Sequence, residues 1–565
     1  MKKTICLILA LTLMLTMSSG FVFAESGKTV YEAEDGILTG LKVMTDLTGY
    51  SGSGYVGKWS DEKQYLEIPI TVDTTGRYNI TVRTNCENHY KENNLLLDNK
   101  TVGTIYSEEK TGWQDYVFES VNVTAGSHTL KVTKSWGWIM LDYIAIEKGE
   151  GIPDSIYDIN YALSNKNAND DAKRLWKYLC DNYGKNIISG QYTDGGAKSN
   201  EYKTLVNMTG KAPAIWGFDM MDYSPSRVRY GTKPSSVDNA IEWAKDYDGI
   251  VTFCWHWTPN EAYLFGNTKN HEWWRGFYTE HTTYDVKAVM NGSDADGYKY
   301  LLEDIDAIAV QLKRLQDEGI AVLWRPLHEA SGGWFWWGTD RDSYLKLWNL
   351  LYDRLTNYHK LNNLIWVWNG GAADWYPGDE TVDIIGEDIY PENNDNTSQM
   401  ARFLKAKKYT TPAKMICLSE NGAMPDIENC KSDNAMWSWF ATWGGNYITN
   451  ATPKETVIKI FNSKNVITLD EVPDLSKYPL DDTDTDINTD TDSDTDSDTD
   501  IEAYVKGDIN ADEVLDITDV VMARSSIIGR ITLSRGEKIR GDINEDGYVD
   551  ILDVVIMRNL ILIRK

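Results

Sequence analysis

The sequence predicts a multidomain chain: a (β/α)8 TIM-barrel domain, with a β-sandwich before it and a small α-helical unit after it. Three observations carry this prediction. From about 160 to 465, eight short apolar runs alternate with segments whose apolar residues recur at helical spacing, such as Asp304–Leu315 and Tyr344–Leu355. From about 29 to 148, short polar–apolar alternations are separated by turn signals, the pattern of an all-β sandwich. Near the C-terminus one acidic loop followed by an apolar segment occurs twice.

At 565 residues the chain is long enough for roughly three or four domains. The formal charge of −29 argues against nucleic acid or an anionic membrane surface as a partner and favours a neutral ligand. One acidic linker supplies much of that charge, which weakens the argument. The 22 tryptophans and 33 tyrosines are an unusual aromatic load, divided between core filling and placement beside polar residues. Lys2-Lys3, the apolar run Ile5 to Leu15 and the end Val22-Phe-Ala24 have the three regions of a secretory signal peptide, so residues 1–24 are expected to be removed. The run is short for a membrane anchor, and no other stretch could span a bilayer, so no membrane span is expected in the mature chain. After cleavage Cys86, Cys180, Cys254, Cys417 and Cys430 remain, without metal-ligand spacing. Cys254 and Cys417 read as buried free thiols, while a Cys417 to Cys430 bridge is left open.

Strand-like runs such as Gly76–Arg83 and Gly126–Thr133 fill the sandwich, residues 29–148. The opening Tyr31-Glu-Ala-Glu34, the turn Gly49-Tyr-Ser-Gly-Ser-Gly-Tyr-Val-Gly57 and the closing Trp138-Ile-Met-Leu-Asp142 resemble carbohydrate-binding module family 35 over nearly the whole segment. The resemblance implies a structural Ca2+ held by Glu32, Glu34 and Asp142, and a hard cation does require several oxygens gathered where strands meet. Without the resemblance, Glu32 and Glu34 are outward residues of one strand face. Trp113, Trp136 and Trp138 are candidates for a sugar-stacking platform or for core.

Gly149–Pro153 is a short linker to the barrel, residues 155–470. Its eight expected strands are Ile187–Tyr192, Ala214–Phe218, Ile250–Trp255, Ile320–Leu327, Leu364–Trp368, Val382–Ile389, Met415–Ser419 and a last near Trp439–Trp443. Barrel chemistry sits at the C-terminal ends of such strands. There the fourth strand runs into Arg325-Pro-Leu-His-Glu329 and a loop rich in Gly and Trp, and the seventh into Ser419-Glu420-Asn. Sugar rings stack on aromatic faces, a carboxyl of raised pKa can protonate a glycosidic oxygen, and a second carboxylate nearby can attack the anomeric carbon. From the residues alone, this pattern reaches a retaining β-glycosidase.

Arg325-Pro-Leu-His-Glu329 followed by Gly333-Trp-Phe-Trp-Trp-Gly338 resembles glycoside hydrolase family 26. The resemblance implies Glu329 as general acid/base and Glu420 as nucleophile. It further implies that His256 reaches the sugar before the scissile bond and that His328 positions the acid/base. Asp388 and Tyr390 would hold substrate and nucleophile, and Arg325 would support the carboxylates from below. Trp334 would stack on the sugar beyond the cleavage point, with Trp443 or Trp437 on the one before it.

Residues 479–503, with Asp-Thr and Asp-Ser pairs through Asp481–Asp500, read as a disordered, self-repelling linker. In 504–565, Asp508, Asn510, Asp512, Asp516 and Asp519, then Asp542, Asn544, Asp546, Asp550 and Asp553, fall at positions 1, 3, 5, 9 and 12 of an EF-hand-type Ca2+ loop. Two such units resemble a type I dockerin, which implies a cohesin domain of a cellulosome scaffoldin as partner. Glu513 stands where the first loop's turn normally takes glycine, so its cation is expected to bind more weakly than that of the second loop, which has Gly547. The pairs Ile517-Thr518 and Ile551-Leu552 differ, so the two faces are expected to bind cohesin unequally.

The combined expectation is a secreted, extracellular, cellulosomal endo-β-1,4-mannanase. It would cut internal bonds of plant cell-wall mannan, glucomannan or galactomannan, with Ca2+ structural and no cofactor for catalysis. A lichenase or β-1,3-xylanase of the same family is the alternative within the class. A non-catalytic carbohydrate-binding or adhesion protein is the alternative outside it.

Overall fold

The computed structural model describes residues 27–86, 91–107, 110–135, 137–266, 272–410, 413–480, 506–511, 514–527, 533, 535–543, 549 and 551–563. The chain divides into two compact units, Met1–Asp482 and Thr483–Lys565. The expected signal segment and residues 481–503 of the acidic linker lie outside the described residues, as do Trp136, Asp512, Glu513, Asn544, Asp546, Gly547 and Asp550.

Two antiparallel sheets form the sandwich. One orders Lys42–Met44, Tyr55–Gly57, Met140–Lys148, Gly76–Cys86 and Lys110–Val123, with Lys28–Glu32 also paired to Met140–Lys148. The other orders Ile37–Thr39, Tyr65–Val72, Gly126–Lys134, Lys91–Leu97 and Lys100–Ser107. Alternation does the work here: Leu66, Ile68, Ile70 and Val72 are buried along one strand while Glu67 and Pro69 are not. First and last strands pair with Glu32 opposite Tyr143, which brings Glu32 and Glu34 to Asp142.

All eight expected barrel strands form: Ile187–Tyr192, Ile215–Asp219, Ile250–Cys254, Val322–Arg325, Leu364–Trp368, Ile384–Ile389, Met415–Asn421 and Trp439–Thr442. They pair in parallel in that order, and the first strand pairs with both the second and the eighth, which closes the sheet. A short ninth strand, Val466–Ile467, pairs in parallel with the start of the first. The fourth strand is shorter than expected because Pro326 has no N–H and Leu327 takes a left-handed backbone, φ +52°. Helices follow most strands, with polar caps such as Asn169 before Asp170–Asn182 and Asp340 before Arg341–Tyr352. Strands 5 and 6 are joined by 3-10 turns only, at Ala373–Trp375 and Asp379–Thr381.

Twelve tryptophans, from Trp216 to Trp439, are fully buried, so core packing takes more than half of the 22. Cys86 is buried, Cys180, Cys254, Cys417 and Cys430 are buried free thiols, and Cys417 and Cys430 are not bridged. Among the described residues no helix is long and apolar enough to cross a membrane.

In the second unit, helices Ile517–Ile527 and Ile551–Ile563 start about a turn's length earlier than the apolar runs at Val520 and Val554 suggest, and Arg535–Gly541 is an additional helix. Ile509, Leu515, Val520, Ala523, Leu533, Val554 and Met557 form its core.

Candidate active site

Barrel strand 4 ends at Arg325, and the chain then turns so that Glu329 adopts φ +55°, a left-handed conformation unfavourable for a residue with a Cβ. Asn369, just past strand 5, holds it there. The Glu329 backbone N–H donates to the Asn369 carbonyl at 2.7 Å, and the Asn369 amide donates to the Gly386 carbonyl at 2.8 Å. Gly338 closes the loop behind, where a Cβ would stand 2.1 Å from the Ala330 carbonyl oxygen. Gly332 lets the Trp334 ring lie back across the backbone, since a Cβ there would meet the indole at 2.1 Å. The indole N–H then donates to Glu329 Oε2 at 2.9 Å, and the ring is 48% exposed.

Glu420 reaches the same place from strand 7. Carboxylate oxygens of Glu329, Asp388 and Glu420 lie within 4.8 Å of one another. Arg325, only 1% exposed, donates to Asp388 Oδ2 at 2.8 Å and pairs through its other arm with Glu420. Ser419 donates to Asp388 Oδ1 at 2.7 Å, and the Tyr390 hydroxyl donates to Glu420 Oε2 at 2.5 Å.

These surroundings separate the two glutamates. Burial raises the Glu329 pKa well above the carboxylate range, the charges of Asp388 and Glu420 raise it further, and Arg325 and Trp334 oppose this only partly. Burial and Asp388 also raise Glu420, but it touches both Arg325 and the Tyr390 hydroxyl. Glu420 therefore ionises first, and its charge keeps the proton on Glu329. The pair can donate a proton from one side and attack from the other, at the close spacing a retaining displacement needs.

His256, past strand 3, places Nδ1 at 2.6 Å from Asp219 Oδ2 and Nε2 at 3.3 Å from His328 Nε2. Burial, then the charges of Arg325 and His256, keep the His328 pKa well below the usual value, so His328 is neutral. Trp443 is half-buried, with its ring 5.1 Å from that of Tyr192 and 6.0 Å from that of His256. Nine of the ten expected barrel residues thus gather at one mouth. Trp437 does not. It is fully buried before strand 8, donates to the Ser398 carbonyl and packs edge-on against Phe403, so it cannot stack on a sugar. The start of a barrel strand lies at the end opposite the catalytic mouth.

Asn369, Ser419 and Asp219 were not singled out in the sequence. Asn369 and Asp219 stand at strand ends, the same signal that marked Glu329 and Glu420.

In the sandwich, Ser51 donates from its hydroxyl to Glu32 Oε2 at 2.7 Å and from its N–H to Asp142 Oδ1 at 2.8 Å; Gly54 N–H donates to Glu34 Oε1 at 3.0 Å. Arg83 pairs with Asp142 at 3.0 Å. Burial and mutual repulsion raise the Glu32 pKa, burial raises Asp142, and buried Glu34 Oε2 has no hydrogen-bond partner. This oxygen-only donor set fits a hard cation. Trp113 is half-buried and donates to the Thr48 carbonyl, whereas Trp138 is 59% exposed with Lys91 Nζ 4.5 Å above its ring.

In the second unit Asp508, Asp519 and Asp553 are buried. Asp519 accepts N–H groups from Ile509 at 2.8 Å and Asp516 at 2.9 Å, and Asp553 accepts from Ile543 at 2.9 Å. Each twelfth-position carboxylate is thus turned into its own loop.

Residues 164–471 match the model for glycosyl hydrolase family 26, and residues 29–149 that for carbohydrate binding module family 35. The chain is 41% identical over 452 residues to a mannan endo-1,4-beta-mannosidase of Thermothelomyces thermophilus, covering 79% of this chain and 91% of that protein. It is 36% identical over 470 residues to mannan endo-1,4-beta-mannosidase B of Piromyces sp, covering 80% and 79%. Among solved structures, a Podospora anserina β-(1,4)-mannanase carrying modules of these two families is 39% identical with a TM-score of 0.57, covering 80% of this chain and 100% of that one.

Proposed function

The chain belongs to glycosyl hydrolase family 26 and is a glycoside hydrolase; from that premise we propose that it is a secreted endo-β-1,4-mannanase that cuts internal bonds of mannan, glucomannan and galactomannan with retention. The observation that carries the mechanism is the close group Glu329, Asp388 and Glu420, in which Arg325 and Tyr390 serve Glu420 while Glu329 keeps its proton.

Glu420 attacks the anomeric carbon as Glu329 protonates the leaving oxygen. Glu329, now a carboxylate, takes a proton from water, which resolves the glycosyl-enzyme. Arg325 holds Asp388 and Glu420 in register, and the Tyr390 hydroxyl releases its bond to Glu420 as the carboxylate becomes an ester. His256, oriented by Asp219, and Trp443 hold the sugar before the cut. Trp334 holds the one after it while aiming the Glu329 carboxyl.

The sandwich serves as the carbohydrate-binding module, with Glu32, Glu34 and Asp142 holding a structural Ca2+. Asp508, Asn510, Asp512, Asp516 and Asp519, and Asp542, Asn544, Asp546, Asp550 and Asp553, would hold two more, which would offset the charge of the acidic loops of a dockerin. The dockerin ties the enzyme to a scaffoldin cohesin in a cellulosome. Reducing-sugar release from locust-bean gum, lichenan and xylan, by wild type and Glu420→Ala, tests the catalytic reading. Release from locust-bean gum that is lost in Glu420→Ala supports it; release from lichenan alone would remove the mannan assignment and leave the mechanism.

A further inference from the structure

Several polar contacts join the sandwich to the barrel, among them Arg77–Asp433 and Lys408–Glu119, and one of them, Arg402–Tyr106, reaches the strand that carries Asp388. On barrel strand 6, Glu387 points away from the mouth and is 1% exposed, while its neighbour Asp388 points in and is held by Arg325. The pairing of strands 6 and 7 shifts register between these two residues. Such a bulge re-aims the side chains around it. The extra residue is Ser419 on strand 7, whose hydroxyl lies 3.2 Å from the Glu387 carbonyl and 2.7 Å from Asp388 Oδ1, so Glu387 and Asp388 flank one irregular step of the ladder.

The anchor comes from helix Met400–Ala406. Arg402 Nε donates to Glu387 Oε2 at 2.8 Å, and Nη2 reaches the same oxygen. A buried carboxylate requires such a partner, and the pair is most favourable when the remaining guanidinium N–H groups are also bonded. That arm is held by the other domain. Arg402 Nη1 donates to the Tyr106 hydroxyl at 2.6 Å, from sandwich strand Lys100–Ser107. Lys405 Nζ sits 4.3 Å over the same ring, and Gly103 lets the two backbones approach, since a Cβ there would lie 2.8 Å from Ala401 Cβ.

We propose that Tyr106 and Arg402 are positioning residues for the barrel's chemistry: Tyr106 fixes Arg402, Arg402 fixes Glu387, and the bulge passes that constraint to Asp388, Arg325 and Glu420. The sandwich is then part of the catalytic scaffold as well as a sugar-binding appendage. The inference rests on the glycosidase reading of Glu329 and Glu420. Lys408–Glu119, at 2.7 Å with both side chains largely exposed, crosses the same interface without touching this network and serves as the control.

The experiment uses the full chain and compares wild type, Tyr106→Phe, Arg402→Lys, Arg402→Gln and Lys408→Gln on galactomannan, with kcat expressed per mole of folded enzyme. Arg402→Gln is expected to lower kcat roughly threefold to thirtyfold with KM unchanged. Tyr106→Phe should move kcat the same way by less, Arg402→Lys should recover part of the loss, and Lys408→Gln should match wild type. Wild-type kcat in both Tyr106→Phe and Arg402→Gln would overturn the proposal, as would an equal loss in Lys408→Gln. If the wild type released no sugar, the functional reading would fail instead. Hydrogen exchange of the Ile384–Ile389 amides would then decide the network: faster in Arg402→Gln and Tyr106→Phe supports it, unchanged refutes it.

Discussion

The Trp334 indole N–H donates to Glu329 Oε2 at 2.9 Å, so the ring expected to stack on the sugar also touches the expected proton donor. That bond favours the ionised carboxyl and lowers the Glu329 pKa against the larger effect of burial. Trp334→Phe keeps a stacking face and removes the donor. The basic limb of the kcat/KM profile should therefore move to higher pH, and a limb that stayed in place or moved down would contradict the assignment.

The two glutamates titrate as a coupled pair. Activity should rise with pH as Glu420 ionises and fall as Glu329 loses its proton. Glu329→Ala should lower kcat on mannan by about 10²–10⁴-fold. The loss should be much smaller on an aryl β-mannoside whose leaving group needs no proton, and the basic limb should vanish. Equal losses on both substrates would remove Glu329 from the acid role.

Asn369 is 2% exposed and holds Glu329 in its left-handed conformation. Asn369→Ala keeps the backbone carbonyl but removes the amide donor to the Gly386 carbonyl and one of the two acceptors of Arg325 Nη1, which keeps Asp388. A loss of about 1–3 kcal/mol in unfolding free energy is expected, measured by denaturant melting, together with a fall in kcat. An unchanged kcat would show that the Asn369 side chain does not help to aim the acid.

Glu32 and Asp142 have raised pKa values, so the folded state binds their protons more tightly than the unfolded chain does. Without a cation this gives no penalty below the ordinary carboxylate range, and a growing one as pH rises through the folded values. In chelator, the melting temperature should fall as pH rises through that window, and Ca2+ should flatten the dependence. A profile indifferent to Ca2+ would argue against a cation at this site.

For the second unit, chelation should unfold the repeats and abolish capture by a cohesin while barrel activity largely survives. Capture that persisted in chelator would contradict the dockerin reading.

The sequence alone determined the eight strands, the sandwich and the carboxylates at the ends of strands 4 and 7, because each depends on a local period or on a position relative to a strand end. It did not separate Trp437 from Trp443: both are tryptophans flanking the eighth strand, and only the closed barrel sends one into the core and the other to the mouth. Nor did it show Asn369 holding Glu329, or Tyr106 reaching Glu387 through Arg402, across 40 and 281 residues of chain. Those contacts come from closure of the sheet and docking of the sandwich on the helix Met400–Ala406. Which charged groups share a buried space, and therefore which glutamate keeps its proton, is decided by tertiary packing.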